Sequence, residues 1–371
     1  MATKSLGCQA AIAFHSVPTD CVTTRKCHFT LCVRRNSHRL TARSDEEHSV
    51  STNEGRKWRI QSSPLSAPNG TISILENGAL TAEESPSAFK DNAYVGYGRL
   101  LPDRTFRERF VIRFSEVSSR GKISIETLSS LLQEAASNHV HEMDYSFSPG
   151  KNMGGNITVT TRMHIEVDKY PEWRDLIEID TWFQPEGKHS VRRDWIVKDV
   201  QTGENIAFAT STWVLVNSQT RRLTKITEER WEEIEPHMVR SPLRWALSED
   251  RRKGSLAKIA KLDAEAAFKT EGVVASEKDC DMNQHVNNVK YLGWMIETVP
   301  EEIRRSHEIA KLTIEYRQEA NHGERVNTLA NTENLDSSAV IGFTHLTVKD
   351  ADAKEVNRGR TVWRLLTESE S

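Results

Sequence analysis

One segment decides the fold and the site predicted for this chain: Asp281-Met282-Asn283-Gln284-His285-Val286-Asn287-Asn288. The chain that follows is amphipathic as far as Glu297. Apolar residues recur there with the i, i+3, i+4, i+7 spacing of one helix face, at Val289, Leu292, Gly293 and Ile296. Because Asn287 or Asn288 can serve as the N-cap, the sequence predicts a helix over residues 287–298.

The polar residues before this helix predict an active site. In an extended segment alternate side chains share a face, which here would carry Asp279, Asp281, Asn283 and His285. Cys280 would then point away from His285. The free N–H groups and the positive dipole end at the start of the helix suit a developing oxyanion. The alternative is an Asx-rich turn that only caps a core helix.

The helix belongs to one of two similar units, each a helix followed by four strand-like runs. In the first unit a strand at 106–114 precedes a helix at 124–143, which has Ser124 as its N-cap. The buried stripe of that helix is Leu128, Leu131, Leu132 and Ala135. Its strands are predicted at 156–167, 176–183, 190–198 and 206–216. The second unit opens near Phe268, and its strands are predicted at 311–318, 324–333, 338–349 and 357–366.

Short matches between the two units indicate a duplicated fold. Val197-Lys198-Asp199 recurs as Val348-Lys349-Asp350, and Thr212-Trp213 recurs as Val362-Trp363. Aligning the two helices places Glu134 on Glu297. The residues opposite Asp281, Asn283 and His285 are then Ser118, Arg120 and Lys122. The fold is therefore predicted to be duplicated, and the polar site to be present in the second unit alone.

Composition divides the chain before the first unit. Residues 1–44 hold seven Lys or Arg against one Asp, and ten Ser or Thr, whereas the formal net charge of the whole chain is −3. A basic, Ser/Thr-rich start predicts an organelle transit peptide, more plastid than mitochondrial, with a disordered basic tail as the alternative. Residues 45–97 predict a flexible linker, and residues 231–265 a charged linker between the units with some helix.

Composition also narrows the kind of protein. No apolar stretch is long enough to span a bilayer, so no transmembrane segment is predicted. Four of the five cysteines lie within residues 1–44, which leaves Cys280 without a disulfide partner in the rest of the chain. His139, His141 and Glu142 lack the spacing of a metal site, and no metal or other cofactor is predicted. Nucleic-acid binding is not predicted, because the excess positive charge lies mostly in the leader.

From about Arg104 to Trp363 the chain resembles the plant acyl-acyl-carrier-protein (acyl-ACP) thioesterases. The motifs that carry the resemblance are residues 281–291, Arg192-Arg193-Asp194-Trp195, Thr220-Arg221-Arg222-Leu223 and Lys169-Tyr170-Pro171. The resemblance implies an α+β tandem (double) hotdog, in which two central helices are each wrapped by an antiparallel β-sheet. The implied domains are a chloroplast transit peptide (1–44), a disordered linker (45–97), an N-terminal hotdog domain that shapes the acyl-chain pocket (98–230), a linker (231–265) and a catalytic C-terminal hotdog domain (266–371).

The same resemblance implies hydrolysis of long-chain acyl-ACP to free fatty acid in the plastid stroma, which terminates fatty-acid synthesis. The family has an oleoyl branch and a branch for mostly saturated chains. Residues 163–166, 181–184 and 186–187 resemble the oleoyl branch, whereas Ile234-Glu235-Pro236 resembles the other. Oleoyl-ACP is therefore the expected substrate. The alternatives to a thioesterase are a hotdog dehydratase acting on 3-hydroxyacyl-ACP and a non-catalytic acyl-binding protein.

The predicted catalytic residues are, by resemblance, Asp281, Asn283, His285 and Glu319. Water is expected to attack the thioester, with Glu319 or Asp281 as the base, because two close carboxylates in a partly apolar pocket raise one pKa. Asn283 is expected to orient the water or the carbonyl, and His285 to hydrogen-bond a carboxylate or the carbonyl oxygen. The backbone N–H groups of Val286 and Asn287 are predicted to bind the oxyanion.

Two departures from the family pattern affect these expectations. Many members carry a cysteine directly after the glutamate of the Glu-Tyr-Arg-x-Glu motif, where this chain has Ala320. Since Cys280 is predicted to point away from His285, no thiol nucleophile is expected. The segment Tyr145–Asn156 is short and Gly-rich where relatives have a longer apolar loop, which bears on acyl-chain preference.

The predicted partner is an acyl carrier protein with its acyl chain, and the family also tends to form homodimers. Carrier proteins are acidic and so is this chain after residue 44, so recognition requires a local basic patch. The candidates are Lys188, Arg192, Arg193, Arg221 and Arg222. An ordinary solvated strand face is the alternative.

Overall fold

A computed structural model describes residues 98–143, 156–217, 219–239, 242–262, 265–282, 284–335 and 339–366, and before residue 98 the backbone of seven short strands. The chain divides into two units, Met1–Ala93 and Tyr94–Ser371. In the first unit the strands are β1 (Asp20–Thr23), β2 (Thr30–Val33), β3 (Arg39–Thr41), β4 (His48–Ser51), β5 (Lys57–Ile60), β6 (Thr71–Ile74) and β7 (Leu80–Glu83). They pair as β1–β2, β4–β5 and β3–β6–β7. The remainder of the predicted leader (1–44) and linker (45–97) lies outside the described residues.

The second unit consists of two halves that have the same order of helix and strands. Its first half contains β8 (Arg99–Leu100), β9 (Phe106–Val111), α1 (Ile125–Glu142), β10 (Asn156–Val167), β11 (Leu176–Glu186), β12 (Ser190–Asp199), β13 (Asn205–Asn217) and β14 (Leu223–Thr224). Between the halves lie α2 (Glu228–Ile234) and α3 (Glu249–Leu256). Its second half contains β15 (Phe268–Val274), α4 (Lys290–Glu297), α5 (Glu301–Ser306), β16 (His307–Tyr316), β17 (Arg325–Glu333), β18 (Val340–Lys349) and β19 (Glu355–Leu365). Every strand predicted for these two halves is present, with bounds that differ from the predicted ones by a few residues.

The twelve strands of the second unit form one antiparallel sheet. Their order is β15-β17-β18-β19-β16-β10-β13-β12-β11-β9-β8, and β14 pairs with β13. The two halves meet where β10 pairs with β16, from Arg162 opposite Glu315 to Glu166 opposite Lys311. Because the sheet continues across this junction, the two predicted domains form one compact unit.

Each half packs its helix on the inner face of its strands. Helix α1 begins as predicted, since the Ser124 hydroxyl accepts a hydrogen bond from the Thr127 N–H at 3.1 Å. Leu128 and Leu132, on its predicted stripe, are fully buried, and burying each such side chain contributes about 2 kcal/mol. Helix α4 is shorter than predicted. The side chain of Asn287 accepts a hydrogen bond from the Val289 N–H at 2.9 Å in a turn that precedes the first helical residue.

The duplication extends to the hairpin before each helix. In the first half the Ser118 N–H donates to Lys122 O and the Gly121 N–H donates to Ser118 O, both at 2.9 Å. In the second half the same bonds join Asp281 to His285 at 2.8 Å and Gln284 to Asp281 at 2.9 Å. The predicted alignment of the two halves is therefore confirmed in this hairpin.

The segment between the halves covers the outer face of the sheet. Trp245 stacks on the Arg192 guanidinium at 3.1 Å, and Ser255 O accepts a hydrogen bond from Arg162 Nε at 2.9 Å. Within the described ranges, no helix has the length and apolar character needed to cross a bilayer.

Candidate active site

The polar segment before α4 is a tight hairpin rather than an extended strand. The two bonds given above close a turn between Asp281 and His285, and Gln284 adopts the left-handed region at φ 65°. A residue with positive φ at this position is typical of a three-residue hairpin loop. The prediction that alternate residues from Asp279 to His285 share one face is therefore wrong. The Asp279 carboxylate instead accepts a hydrogen bond from the Ser276 N–H at 2.9 Å.

The hairpin is joined to the segment that follows β16. His285 forms a bridge with Asn321, and the Val286 N–H donates to Ala320 O at 3.0 Å. This pairing brings His285 Nε2 to 3.9 Å from Glu319 Oε1, with both side chains about a third exposed, at 35% and 34%. Two of the four predicted catalytic residues are thus adjacent and open to solvent.

Arg221 from the first half also contacts Glu319, through its Nη2 and the Glu319 Oε2. Arg221 lies in the turn after β13, where the Arg221 N–H donates to Asn217 O at 2.8 Å and the Asn217 side chain accepts a hydrogen bond from the Thr220 N–H at 2.8 Å. The sequence analysis assigned Arg221 to the carrier protein and missed its contact with Glu319. No local pattern links two residues that are 98 positions apart.

Of the other two predicted catalytic residues, the structure describes one. Asp281 is paired through its backbone with His285 and therefore stands at the base of the same hairpin. Asn283 lies outside the described residues.

The prediction for the oxyanion is wrong in this geometry. The Val286 N–H is bonded to Ala320 O, and the Asn287 N–H donates to Asp279 O at 2.8 Å. Both donors are already used to hold the hairpin against its neighbours, so neither is available to a substrate oxygen.

Two tyrosines not singled out by the sequence analysis hold the strand end that carries Glu319. The Ala320 N–H donates to the Tyr291 hydroxyl at 2.8 Å, and the Tyr316 hydroxyl donates to Asn288 O at 3.2 Å. Burial raises the pKa of Tyr291 to about 12, so its hydroxyl stays protonated at neutral pH. The Cys280 thiol donates to Ser276 O at 3.7 Å.

Two of the predicted carrier-protein contacts lie inside the protein. The Arg192 Nε bonds the Asp194 carboxylate at 2.8 Å beneath Trp245. Arg193 is buried under α1 and bonds His139 Nδ1 at 3.0 Å. Both predictions are wrong, because β12 is covered on one face by the segment between the halves and on the other by α1. Lys188 and Arg222 are exposed.

His139, His141 and Glu142, which the sequence analysis considered for a metal, do not form a metal site. Burial, with the Arg193 charge beside it, lowers the pKa of His139 to about 2, whereas His141 and Glu142 lie toward the surface. Among the residues with described side chains, no group of three or more His, Cys, Asp and Glu could hold a metal ion.

Sequence comparison finds the same two halves in one family. The acyl-ACP thioesterase N-terminal domain matches residues 103–234, and the acyl-ACP thioesterase C-terminal domain matches residues 263–365. The oleoyl-acyl carrier protein thioesterase 2, chloroplastic, of Arabidopsis thaliana is 38% identical over 81% of this chain and 86% of its own length. A palmitoyl-acyl carrier protein thioesterase, chloroplastic, of Gossypium hirsutum is 41% identical over 72% of this chain and 66% of its own length.

Solved structures share the fold. The 12:0-ACP thioesterase from Umbellularia californica superposes with a TM-score of 0.64 at 33% identity, covering 72% of this chain and 99% of that chain. An oleoyl thioesterase (putative) from Lactobacillus plantarum superposes with a TM-score of 0.61 at 21% identity, covering 71% of this chain and 97% of that chain. The predicted tandem hotdog is confirmed.

Proposed function

This chain belongs to the acyl-ACP thioesterase family, and on that premise we propose that it hydrolyses oleoyl-ACP in preference to saturated acyl-ACP. It is a thioester hydrolase of the chloroplast, and its relatives there are named as thioesterases for both oleoyl and palmitoyl substrates. The oleoyl preference and the roles of individual residues are the proposal.

The observation that carries the proposed mechanism is the contact of Glu319 with both His285 and Arg221. One oxygen of Glu319 contacts Arg221 and the other lies near His285, so Glu319 is suited to orienting the His285 ring. Of the two carboxylates considered as the base, this arrangement favours Asp281, which stands beside His285 in the hairpin.

The thioester is then cleaved by water without a covalent intermediate. Asp281 takes a proton from the water as the water attacks the carbonyl carbon, and the carrier thiolate leaves. His285 hydrogen-bonds the oxyanion, with Asn283 as a second side-chain donor, since the N–H groups of Val286 and Asn287 are used elsewhere. One preorganised donor of this kind contributes about 3 kcal/mol to catalysis.

The oleoyl preference is supported by motifs whose residues alternate between the two faces of the sheet. Trp182 packs against Val239 and Ala246 of the segment between the halves, and the His164 ring bonds Thr313 of the neighbouring strand. On the opposite face, Ile165 and Phe183 of the same motifs are buried in apolar clusters of the interior. The segment next to α1, 144–155, lies outside the described residues.

A panel of carrier-bound substrates tests the preference. Oleoyl-, stearoyl- and palmitoyl-ACP are compared by kcat/KM with the purified protein. We expect oleoyl-ACP to be favoured by about tenfold, because small differences between apolar chains are distinguished by about 1–3 kcal/mol. Glu319→Gln is the control and should lose hydrolysis of all three substrates. A kcat/KM for palmitoyl-ACP equal to or above that for oleoyl-ACP contradicts the proposal.

Two further proposals concern partners. Lys188 and Arg222 remain exposed candidates for the acidic surface of the carrier protein. A homodimer is proposed from the family resemblance alone.

A further inference from the structure

The interior of the second half contains a row of polar side chains that crosses the sheet beneath α4. The strand pairings place Thr328 opposite Thr347, Thr347 opposite Asn357, and Asn357 opposite Tyr316. Four adjacent strands therefore contribute one polar residue each. The row lies on the inner face of the sheet. Gly359 is two residues from Asn357 in β19 and so lies on the same face, and it is in contact with Met295 of α4.

The equivalent row of the first half is apolar. There Ile179 lies opposite Val197, Val197 opposite Ala207, and Ala207 opposite Val167. All four residues are buried in the core beneath α1. The helices differ in the same way, since Leu128 of α1 corresponds to Tyr291 of α4. Because the backbone is duplicated, the fold itself does not require polar residues at these positions.

Two members of the polar row have no hydrogen-bond partner in the described part of the protein. They are the Thr347 hydroxyl and the Asn357 carboxamide, whose nitrogen and oxygen are both unpaired. Both side chains are fully buried, at 0% exposure. By contrast, the Thr328 hydroxyl bonds the Thr298 hydroxyl at 2.5 Å. Buried amides and hydroxyls that lack a protein partner are commonly satisfied by internal water, which makes two to four hydrogen bonds.

The row ends at the strand that leads into the active site. Its last member, Tyr316, is in ring contact with Tyr291 at 6.2 Å, and the Tyr291 hydroxyl accepts the Ala320 N–H bond next to Glu319. A change in the middle of the row can therefore shift the two tyrosines that position the Glu319 carboxylate.

We propose that Thr347 and Asn357 form an internal water-binding site in the second half, and that this hydrated row positions the strand end carrying Glu319. The ligand is water, held by one amide and one hydroxyl. The residues act through Tyr316 and Tyr291 and do not touch the substrate. The water site does not depend on the proposed oleoyl preference.

The test replaces the two residues by those of the first half, as Thr347→Val with Asn357→Ala. High-resolution crystal structures of the wild-type protein and of this double variant are compared. We expect ordered water between Thr347 and Asn357 in the wild type and none in the double variant. We expect kcat to fall about tenfold with KM within about twofold, while the melting temperature is unchanged or higher, because apolar replacement of both partners is close to neutral for stability.

Thr328→Val is the matched control. It removes a hydroxyl from the same row that already has a protein partner, so it should lower the melting temperature and leave the water in place. The proposal is overturned if the wild type has no ordered water between Thr347 and Asn357, or if the double variant keeps the wild-type kcat. If the double variant does not fold, the wild-type structure and the single Thr347→Val variant decide in the same way.

Discussion

At the scale of single residues, the ion pair between Arg221 and Glu319 distinguishes the proposed catalytic centre from a set of polar surface groups. An exposed ion pair contributes at most about 1 kcal/mol to stability. Its importance here lies in orientation, because one oxygen of Glu319 faces Arg221 and the other lies 3.9 Å from His285 Nε2.

Arg221→Gln tests this role. Loss of the guanidinium frees the carboxylate to rotate away from His285, so we expect kcat to fall about tenfold, equivalent to about 1.4 kcal/mol. The measurement is steady-state kinetics from pH 5.5 to 9.

Arg222→Gln is the control for that variant, because Arg222 is an exposed neighbour in the same turn. It should affect KM for the carrier-bound substrate at most. If Arg221→Gln also raises KM alone and leaves kcat unchanged, Arg221 contacts the carrier protein and does not position Glu319.

At the scale of elements, the duplication provides internal controls for turns. The β18–β19 turn has Ala353 at φ 52°, with its N–H bonded to Lys349 O at 2.9 Å. The corresponding β12–β13 turn has Gly203 at φ 76°, bonded to Asp199 O at 2.8 Å. An L-residue is strained in this region, whereas glycine is not.

Ala353→Gly should therefore increase the free energy of unfolding by about 0.5 kcal/mol, the strain relieved less the extra freedom of glycine in the unfolded chain. The reverse substitution, Gly203→Ala, should decrease it by about 1 kcal/mol. Urea denaturation curves with constant m-values measure both. A destabilised Ala353→Gly variant would show that the left-handed turn carries no strain.

The element scale also explains why the strand pattern before α4 misleads. Alternation describes a chain that stays extended, and Asp281 begins a turn that reverses direction within three residues. The first half shows the same turn with Gly121 at φ 74°, where the second half has Gln284 at φ 65°. Without a glycine at this position, Asp281 and Asn283 are the turn-favouring residues that remain, and they indicated a turn only as the alternative to an extended segment.

At the scale of the whole molecule, two buried histidines predict how stability depends on pH. Burial lowers the pKa of His345 to about 3, and burial with the Arg193 charge lowers that of His139 to about 2. Both rings are neutral in the folded protein. In the unfolded chain they bind protons below about pH 6.5. The unfolded state therefore gains protons first as the pH falls, which destabilises the folded state.

The free energy of unfolding should therefore fall by up to about 1.4 kcal/mol per pH unit for each histidine below about pH 6.5, continuing until the folded-state pKa is reached. Denaturation curves from pH 7.5 to 5.5 measure this slope above the range in which most carboxylates titrate. His345→Gln should reduce the slope by one proton. An unchanged slope would contradict a neutral His345 in the folded protein.

The sequence alone determined much of this protein. Periodicity located α1 and its buried stripe, and β-branched runs located the strands of both halves, because these patterns depend on neighbours in the chain. The repeat of short motifs indicated the duplication, although the predicted match of 197–199 to 348–350 was wrong by one residue. Asp199 and Lys349 occupy the same position in their turns, because each bonds the residue four positions further along, Gly203 and Ala353. Four motifs, at 169–171, 192–195, 220–223 and 281–291, were sufficient to predict the family and, through the resemblance, the reaction.

Only the tertiary structure decided which groups meet. The contact of Arg221 with Glu319, the burial of Arg192 and Arg193, the use of the Val286 and Asn287 N–H groups, and the polar row beneath α4 all depend on how distant strands pair. Local patterns report which face a residue occupies on its own element. They do not report what the rest of the chain places against that face, and it is this long-range pairing that turns polar residues into a site.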